Sequence, residues 1–194
     1  MDSRHFLTPL FDPQRVLLVT PRGGLPTWVG PLDARLAPLG ERVVLHRLGT
    51  RRAPPAGPFD LALLAVDAPQ AEAALAAAST AGARSALMMA DPPDAATGER
   101  WAARARADGV RLLGPRSAGF VRPHAHLNVG SLAGMPAAGD VALVSQSGAL
   151  AAAMLEQAVE AGTGFSLVLS LGDEPDVDVA DVLDFLAFDT RTRA

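Results

Sequence analysis

Residues 140–158 read DVALVSQSGALAAAMLEQA. Val141 to Val144 is a short apolar run of strand character, and the alanine- and leucine-rich stretch from Gly148 to Ala161 predicts a helix. Ser145-Gln146-Ser147-Gly148 stands at the junction. A strand that feeds a helix is the building unit of α/β folds, whose ligands gather where strands end and helices begin. A helix N-terminus carries unpaired N–H groups and about half a positive charge. Two readings fit the junction. Ser145 or Ser147 caps the helix and does nothing more, or the helix start holds an anion such as phosphate, with Gly148 leaving the backbone open to it.

The same alternation extends on both sides. After the helix come a strand over Phe165–Leu171 and a last helix from about Val179 to Phe188. Before it, strands are predicted over Arg15–Thr20, Arg42–His46, Asp60–Val66, Arg84–Ala90 and Val110–Leu113. Helices are predicted over Pro69–Ala81, stopped by Gly82, and over Ala95–Ala107. Thr27–Leu39 has helical character weakened by Pro31 and Pro38, and Arg51–Pro58 is a proline-rich loop. Continuous apolar strands, rather than alternating ones, imply burial on both faces of a mostly parallel sheet. The expected architecture is an α/β Rossmann-like doubly wound domain over 1–122, a Gly/Pro/Ala-rich linker over 123–139, and a second strand–helix–strand unit over 140–194.

Composition narrows the function classes. The 194 residues are 49% apolar and 20% charged, enough for a sizeable core. No apolar stretch reaches the roughly 20 residues of a membrane span, and the opening MDSRHFLTPLFDPQR has neither the apolar stretch nor the cleavage site of a signal peptide, so a cytoplasmic protein is expected. Cysteine is absent, which excludes disulfides, thiolate metal sites and cysteine nucleophiles. Every cation other than histidine is arginine, so a Walker lysine and a Schiff-base lysine are excluded as well. The net charge of −4 and the scattered arginines, with only Arg51-Arg52 adjacent, do not make a nucleic-acid footprint.

The strand ends supply the candidate ligand groups. Thr20-Pro21-Arg22-Gly23-Gly24 follows the first strand: its glycines would admit a phosphate to the backbone and Arg22 could pair with it, or the segment is a plain tight turn. The GxGxxG fingerprint is absent. The second strand ends in His46-Arg47, where an NAD site would carry an acid; a basic pair suits the ribose phosphate of NADP or coenzyme A, and also suits a plain surface. Two metal readings are weak. Asp176-x-Asp178 resembles a calcium loop, but Ala180 holds the fifth position and the required Gly and Glu are missing, so the acidic run 173–184 is better read as favouring the first turn of the last helix. His124-x-His126 has no acidic or cysteine partner nearby in sequence.

Several motifs resemble one family in the right order. Val144-Ser-Gln-Ser-Gly-Ala-Leu150 is similar to the phosphate-binding helix start of the NDP-forming acyl-CoA synthetases, the superfamily of the succinyl-CoA synthetase alpha subunit. Arg111-Leu-Leu-Gly-Pro-Arg-Ser-Ala-Gly119 resembles its RLLGPN-x-x-G loop, and Gly164-Phe-Ser166, Ser170-Leu-Gly-Asp173, Asp176-Val-Asp178, Leu183-Asp-Phe-Leu186 and Asp189-Thr-Arg-Thr192 follow its later segments. The Leu-Gly-Asp form and the opening His5–Pro13 most resemble the branch fused to a GNAT domain, the bacterial protein lysine acetyltransferases. The resemblance implies a CoA-binding Rossmann-like domain followed by the start of a flavodoxin-like succinyl-CoA ligase domain. CoA or acyl-CoA would then meet Thr20, Arg22, Gly23, Gly24, His46 and Arg47. Ser145, Gln146, Ser147 and Gly148 would hold the phosphate of a phosphohistidine, and Gly114, Pro115 and Arg116 would form an active-site loop.

The first loop, the Leu-His-Arg end of the second strand, and Arg116 in place of Asn depart from the family pattern. His5, His46, His124 and His126 lie outside its motifs, and the phosphorylated histidine, the ATP-grasp region and the GNAT domain are all missing. The expectation is therefore a fragment, incomplete for catalysis alone, whose partners are a CoA ligand and the missing C-terminal domains. An incomplete second sheet with an exposed edge would favour self-association. Two alternatives stand beside this reading: a degenerate, non-catalytic regulatory domain, and an NADP-binding oxidoreductase domain.

Overall fold

The computed structural model describes residues 5–194. Met1–Arg4, the start of the stretch read as lacking a signal peptide, lie outside the described residues. The first unit is built on β1 (Val16–Thr20), β2 (Val43–Arg47), β3 (Phe59–Leu64), β4 (Ala83–Met88) and β5 (Arg111–Leu113). They form one parallel sheet in the order β2-β1-β3-β4-β5. The order reverses between β1 and β3, which makes their carboxyl ends the expected ligand crevice. β1 is buried along its whole length, as its unbroken apolar run requires.

Alternate residues of the strands serve two cores. Leu17, Val19, Ala62 and Leu64 face helices α3 (Ala71–Thr80) and α4 (Ala95–Ala107). The buried side of α3 is mostly alanine, so the helix lies close on the sheet, and Gly82 ends it at φ +77°. Asp94 caps α4 by accepting the N–H of Thr97 at 2.7 Å. Val16, Leu18, Leu61 and Leu63 face the other way, onto the short helices α1 (Thr8–Phe11) and α2 (Leu32–Leu36).

Thr27–Leu39 is not one helix. A 3-10 turn over Thr27–Val29, α2, and a second 3-10 segment over Ala37–Arg42 replace it. Gly30 at φ +66° and Pro31 break the first junction, and Gly40 at φ +52° kinks the last segment.

The second sheet has four strands in the order β7-β6-β9-β8, from β6 (Gly119–Arg122), β7 (Leu127–Gly130), β8 (Ala137–Ser145) and β9 (Gly164–Ser170). β8 and β9 are parallel and joined by α5 (Gly148–Ala161), and β6 is antiparallel to both β7 and β9. Residues 123–139, read as a Gly/Pro/Ala-rich linker, contain β7 and the start of β8. Gly119 and Gly130 are paired across the hairpin, where their backbones approach too closely for any Cβ. α6 (Val179–Phe188) packs Val182 and Phe185 into the same core as Phe11, Phe120 and Leu63, so both units close around one shared interior.

β7 and β8 are the edge strands of this sheet, and Val141 on β8 is exposed. The β8 edge is partly covered: the N–H of Arg193 donates to Asp140 O, and that of Ala142 to Ala194 O. No helix among the described residues is long and apolar enough to cross a membrane.

Candidate functional site

The carboxyl ends of the strands form a continuous margin from β2, across the switch point, to the start of α5. At the outer end, Arg47 lies opposite Thr20 and His46 opposite Val19 in the parallel register. His46 is buried and Arg47 exposed. A cleft of about 520 Å³ opens here, lined by His46, Arg47, Thr50, Arg51, Arg52 and Pro55. Among the described residues no carboxylate makes an ion pair with Arg47, Arg51 or Arg52. Arg51 and Arg52, noted in the sequence only for being adjacent, were not assigned to the site; the loop after β2 brings them to it.

Thr20 is buried, its Oγ1 donates to Pro21 O, and its carbonyl accepts Leu48 N–H. Pro21–Gly24 is a closed turn, with Gly24 N–H bonded to Pro21 O at 3.1 Å. The space beyond Gly23 and Gly24 is open, and Arg22 is exposed. At the switch point the Trp28 indole N–H donates to Asp67 at 2.8 Å, which joins the segment after β1 to the end of β3. Nothing in the sequence pairs Trp28 with Asp67, since they are 39 residues apart.

Between β3 and β4 lies a second cleft of about 430 Å³, lined by Pro69, Glu72, Asp91, Thr97, Arg100 and Trp101. Beyond it the expected active-site loop Gly114-Pro115-Arg116 meets the segment after β9. A Cβ on Gly172 would overlap Pro115 O, and Asp173 N–H bonds that same carbonyl at 2.8 Å. Arg116 sits in the left-handed region at φ 59°, a conformation that suits asparagine better than arginine. Its guanidinium pairs with Asp91 and with Asp173. The hydrogen bond to Asp91, then the charge of Asp173, hold its pKa above the ordinary arginine value.

At the α5 start, Ser147 Oγ accepts Leu150 N–H at 3.2 Å, so Ser147 is the cap. Ser145 Oγ accepts Ser147 N–H and donates to Ser147 O. Gln146 pairs with Glu174, whose other oxygen accepts Val179 N–H at 2.7 Å. Gly148 has a packing reason of its own, because a Cβ there would lie 2.9 Å from Ala118 Cβ and 3.4 Å from Ser170 Oγ. The capping reading thus accounts for Ser147, and close packing for Gly148.

The acidic run does more than favour a helix start. Asp178 caps α6, but Asp176, with a side chain only 2% exposed, accepts from Arg106, Arg111 and the Leu112 N–H. Arg111 also reaches Asp181 at 2.8 Å. His124 and His126 lie around a 3-10 turn rather than on a strand, and His124 bonds Gly139 O. No group of three His, Cys, Asp or Glu among the described residues is placed to hold a metal.

Residues 138–194 match the succinyl-CoA ligase-like flavodoxin domain family. The alpha subunit of acetate–CoA ligase (ADP-forming) I from Pyrococcus furiosus is 42% identical over 92 residues, 46% of this chain and 20% of that protein. Over the matched stretch the chain is similar to alpha subunits of ADP-forming acetate–CoA ligases. The isozyme II alpha subunit of the same organism is 38% identical over 79 residues, 41% of this chain and 17% of its own length. The dinucleotide-forming acetyl-coenzyme A synthetase 1 of Ca. Korarchaeum cryptofilum, solved with phosphate and ADP, superposes with a TM-score of 0.81 at 25% identity. That match covers 96% of this chain and 44% of the other, so the chain spans less than half of this synthetase's length and a fifth or less of the two curated subunits. The α/β fold, a parallel Rossmann-like sheet followed by a succinyl-CoA ligase-like flavodoxin unit, is as the sequence led us to expect.

Proposed function

We propose that this chain is the CoA- or acyl-CoA-binding N-terminal part of an ADP-forming acyl-CoA synthetase-like protein. The observation that carries the reading is the carboxylate-free cleft of Arg47, Arg51 and Arg52 at the outer end of the ligand margin. Three guanidiniums suit the clustered phosphates at the nucleotide end of the coenzyme. From β2 to β5 the margin crosses four strand spacings, about 19 Å, so an extended ligand rather than a mononucleotide is needed to follow it to the second unit. Arg22, Gly23 and Gly24 lie along that path, and Ser145–Gly148 would face the reactive end.

The reading includes three finer proposals. The parent protein is GNAT-fused, which the Ser170-Leu-Gly-Asp173 form supports. The compartment is the cytoplasm. The working partners are further domains of the same protein, together with a second copy of it where the β8 edge is left open. Catalysis by the chain alone is not part of the reading. Calorimetric titration with CoA, acetyl-CoA and, as control, NADPH tests it. Saturable CoA binding that Arg51→Ala or Arg47→Ala weakens supports the coenzyme site, and an absence of CoA binding refutes it. A non-catalytic regulatory domain is the second reading, favoured by the Trp28–Asp67 bond across the switch point and by the ion pairs of Arg116.

A further inference from the structure

Arg116 stands where two clefts meet. The cleft between β3 and β4 has Asp91 and Thr97 in its wall. A neighbouring cleft of about 260 Å³ is lined by Gly98, Glu99, Arg116, Asp173 and Glu174. Both use the first turn of α4, and the Asp91–Arg116 pair lies between them. The guanidinium is fully engaged: Nε bonds Asp91, Nη2 donates to Pro92 O at 3.2 Å, and Nη1 donates to both oxygens of Asp173 at 3.3 Å. Its backbone is anchored by Arg116 N–H to Ala90 O at 3.1 Å. One side chain thus ties the loops after β4 and β9 to its own loop after β5, and spans the seam between the units.

We propose that Arg116 is a specificity-determining latch: closed, it confines a coenzyme to the first unit's clefts and leaves the uncharged arm unengaged; open, it lets the arm reach the cleft at Glu174 and the start of α5. The proposal rests on the coenzyme reading above. The latch is suited to opening because its partners are exposed, Asp91 at 77% and Asp173 at 36% of the side chain, and exposed ion pairs are held weakly. A ligand that needs the open form binds less tightly in proportion to how rarely that form is populated.

The test compares CoA with adenosine 3′,5′-bisphosphate, which shares the nucleotide end and lacks the arm, by calorimetry. Native protein, Arg116→Asn and Asp91→Asn are each checked for folding by a thermal melt. In the native protein the two probes bind with similar affinity. In either variant CoA tightens about fivefold relative to the short probe, as expected when an arm worth about tenfold is engaged only in a form that the native protein opens about a tenth of the time. An unchanged ratio in both variants, weaker CoA binding in them, or a native protein that already prefers CoA by more than about tenfold overturns the latch while the coenzyme reading stands. Failure of both probes to bind any of the three proteins overturns the two together.

Discussion

Asp176 is a buried polar attachment between the units, and its removal is an informative single change. The carboxylate is 2% exposed and accepts from Arg106 Nη2 at 3.1 Å, Arg111 Nε at 3.2 Å and Leu112 N–H at 2.7 Å. Asp176→Ala leaves that N–H without its acceptor and Arg106 without its anion, while Arg111 keeps only Asp181. Breaking a buried pair from one side costs about 3–5 kcal/mol. Arg106 is 59% and Arg111 33% exposed, so both regain water and the lower end, about 3 kcal/mol, applies. In a chain of this size that lowers Tm by roughly 6–12 °C. Asp176→Asn keeps an oxygen for Leu112 N–H and should lose about half as much. Urea denaturation followed by circular dichroism, with calorimetric melting, measures both. A loss below about 0.5 kcal/mol for Asp176→Ala would mean that the acidic run is ordinary solvated surface.

Gly172→Ala should cost at least about 2 kcal/mol, because the methyl group meets Pro115 O at a φ of +71°, whereas Gly23→Ala, with open space around it, should stay within about 0.5 kcal/mol; a urea series on the pair reads the contrast. Arg122→Met leaves Asp189, 9% exposed, without its cation and should cost about 3 kcal/mol, most of it recovered when Asp189 is changed to Asn as well; equal losses in the single and double variants would contradict this. The Asp94 pKa is lowered by its hydrogen bonds to Thr97. Its cap therefore stabilises fully above the ordinary carboxylate value and is lost as pH falls through the lower folded value. The stability gap between the native protein and Asp94→Ala should narrow only in that acid range, and acid titration of the two melting curves checks it.

Much of the fold was written locally. α4, α5 and α6 occupy the predicted Ala95–Ala107, Gly148–Ala161 and Val179–Phe188, because each has a polar cap, Asp94, Ser147 or Asp178, and an apolar face that points to one side. Strands β1 and β3 were visible as unbroken apolar runs. The β6–β7 hairpin was not, because its glycines and Pro123 carry the local signature of a linker while their actual role is close backbone approach to a partner strand. Site chemistry divides the same way. His46-Arg47 and Ser147 lie at strand and helix ends, where position alone nominates them. The pairs Arg111–Asp176, Arg116–Asp173 and Trp28–Asp67, at separations of 65, 57 and 39 residues, exist only once the chain has folded.

The pairing of β6 with β9 also sets a timetable for synthesis. All five strands of the first sheet are complete at Leu113, so they can pair while the rest of the chain, including the residues that later cover one face, is still being made. The hairpin emerges next and can settle Phe120 against Phe11 at once. Its central neighbour, β9, ends only at Ser170, 40 residues past Gly130, a delay of roughly 2–8 s at ordinary elongation rates. During that interval Val121 lacks the α5 and β9 residues that later bury it. Translation speed between Gly130 and Ser170 therefore decides how long a newly made hairpin stays available to the wrong partner.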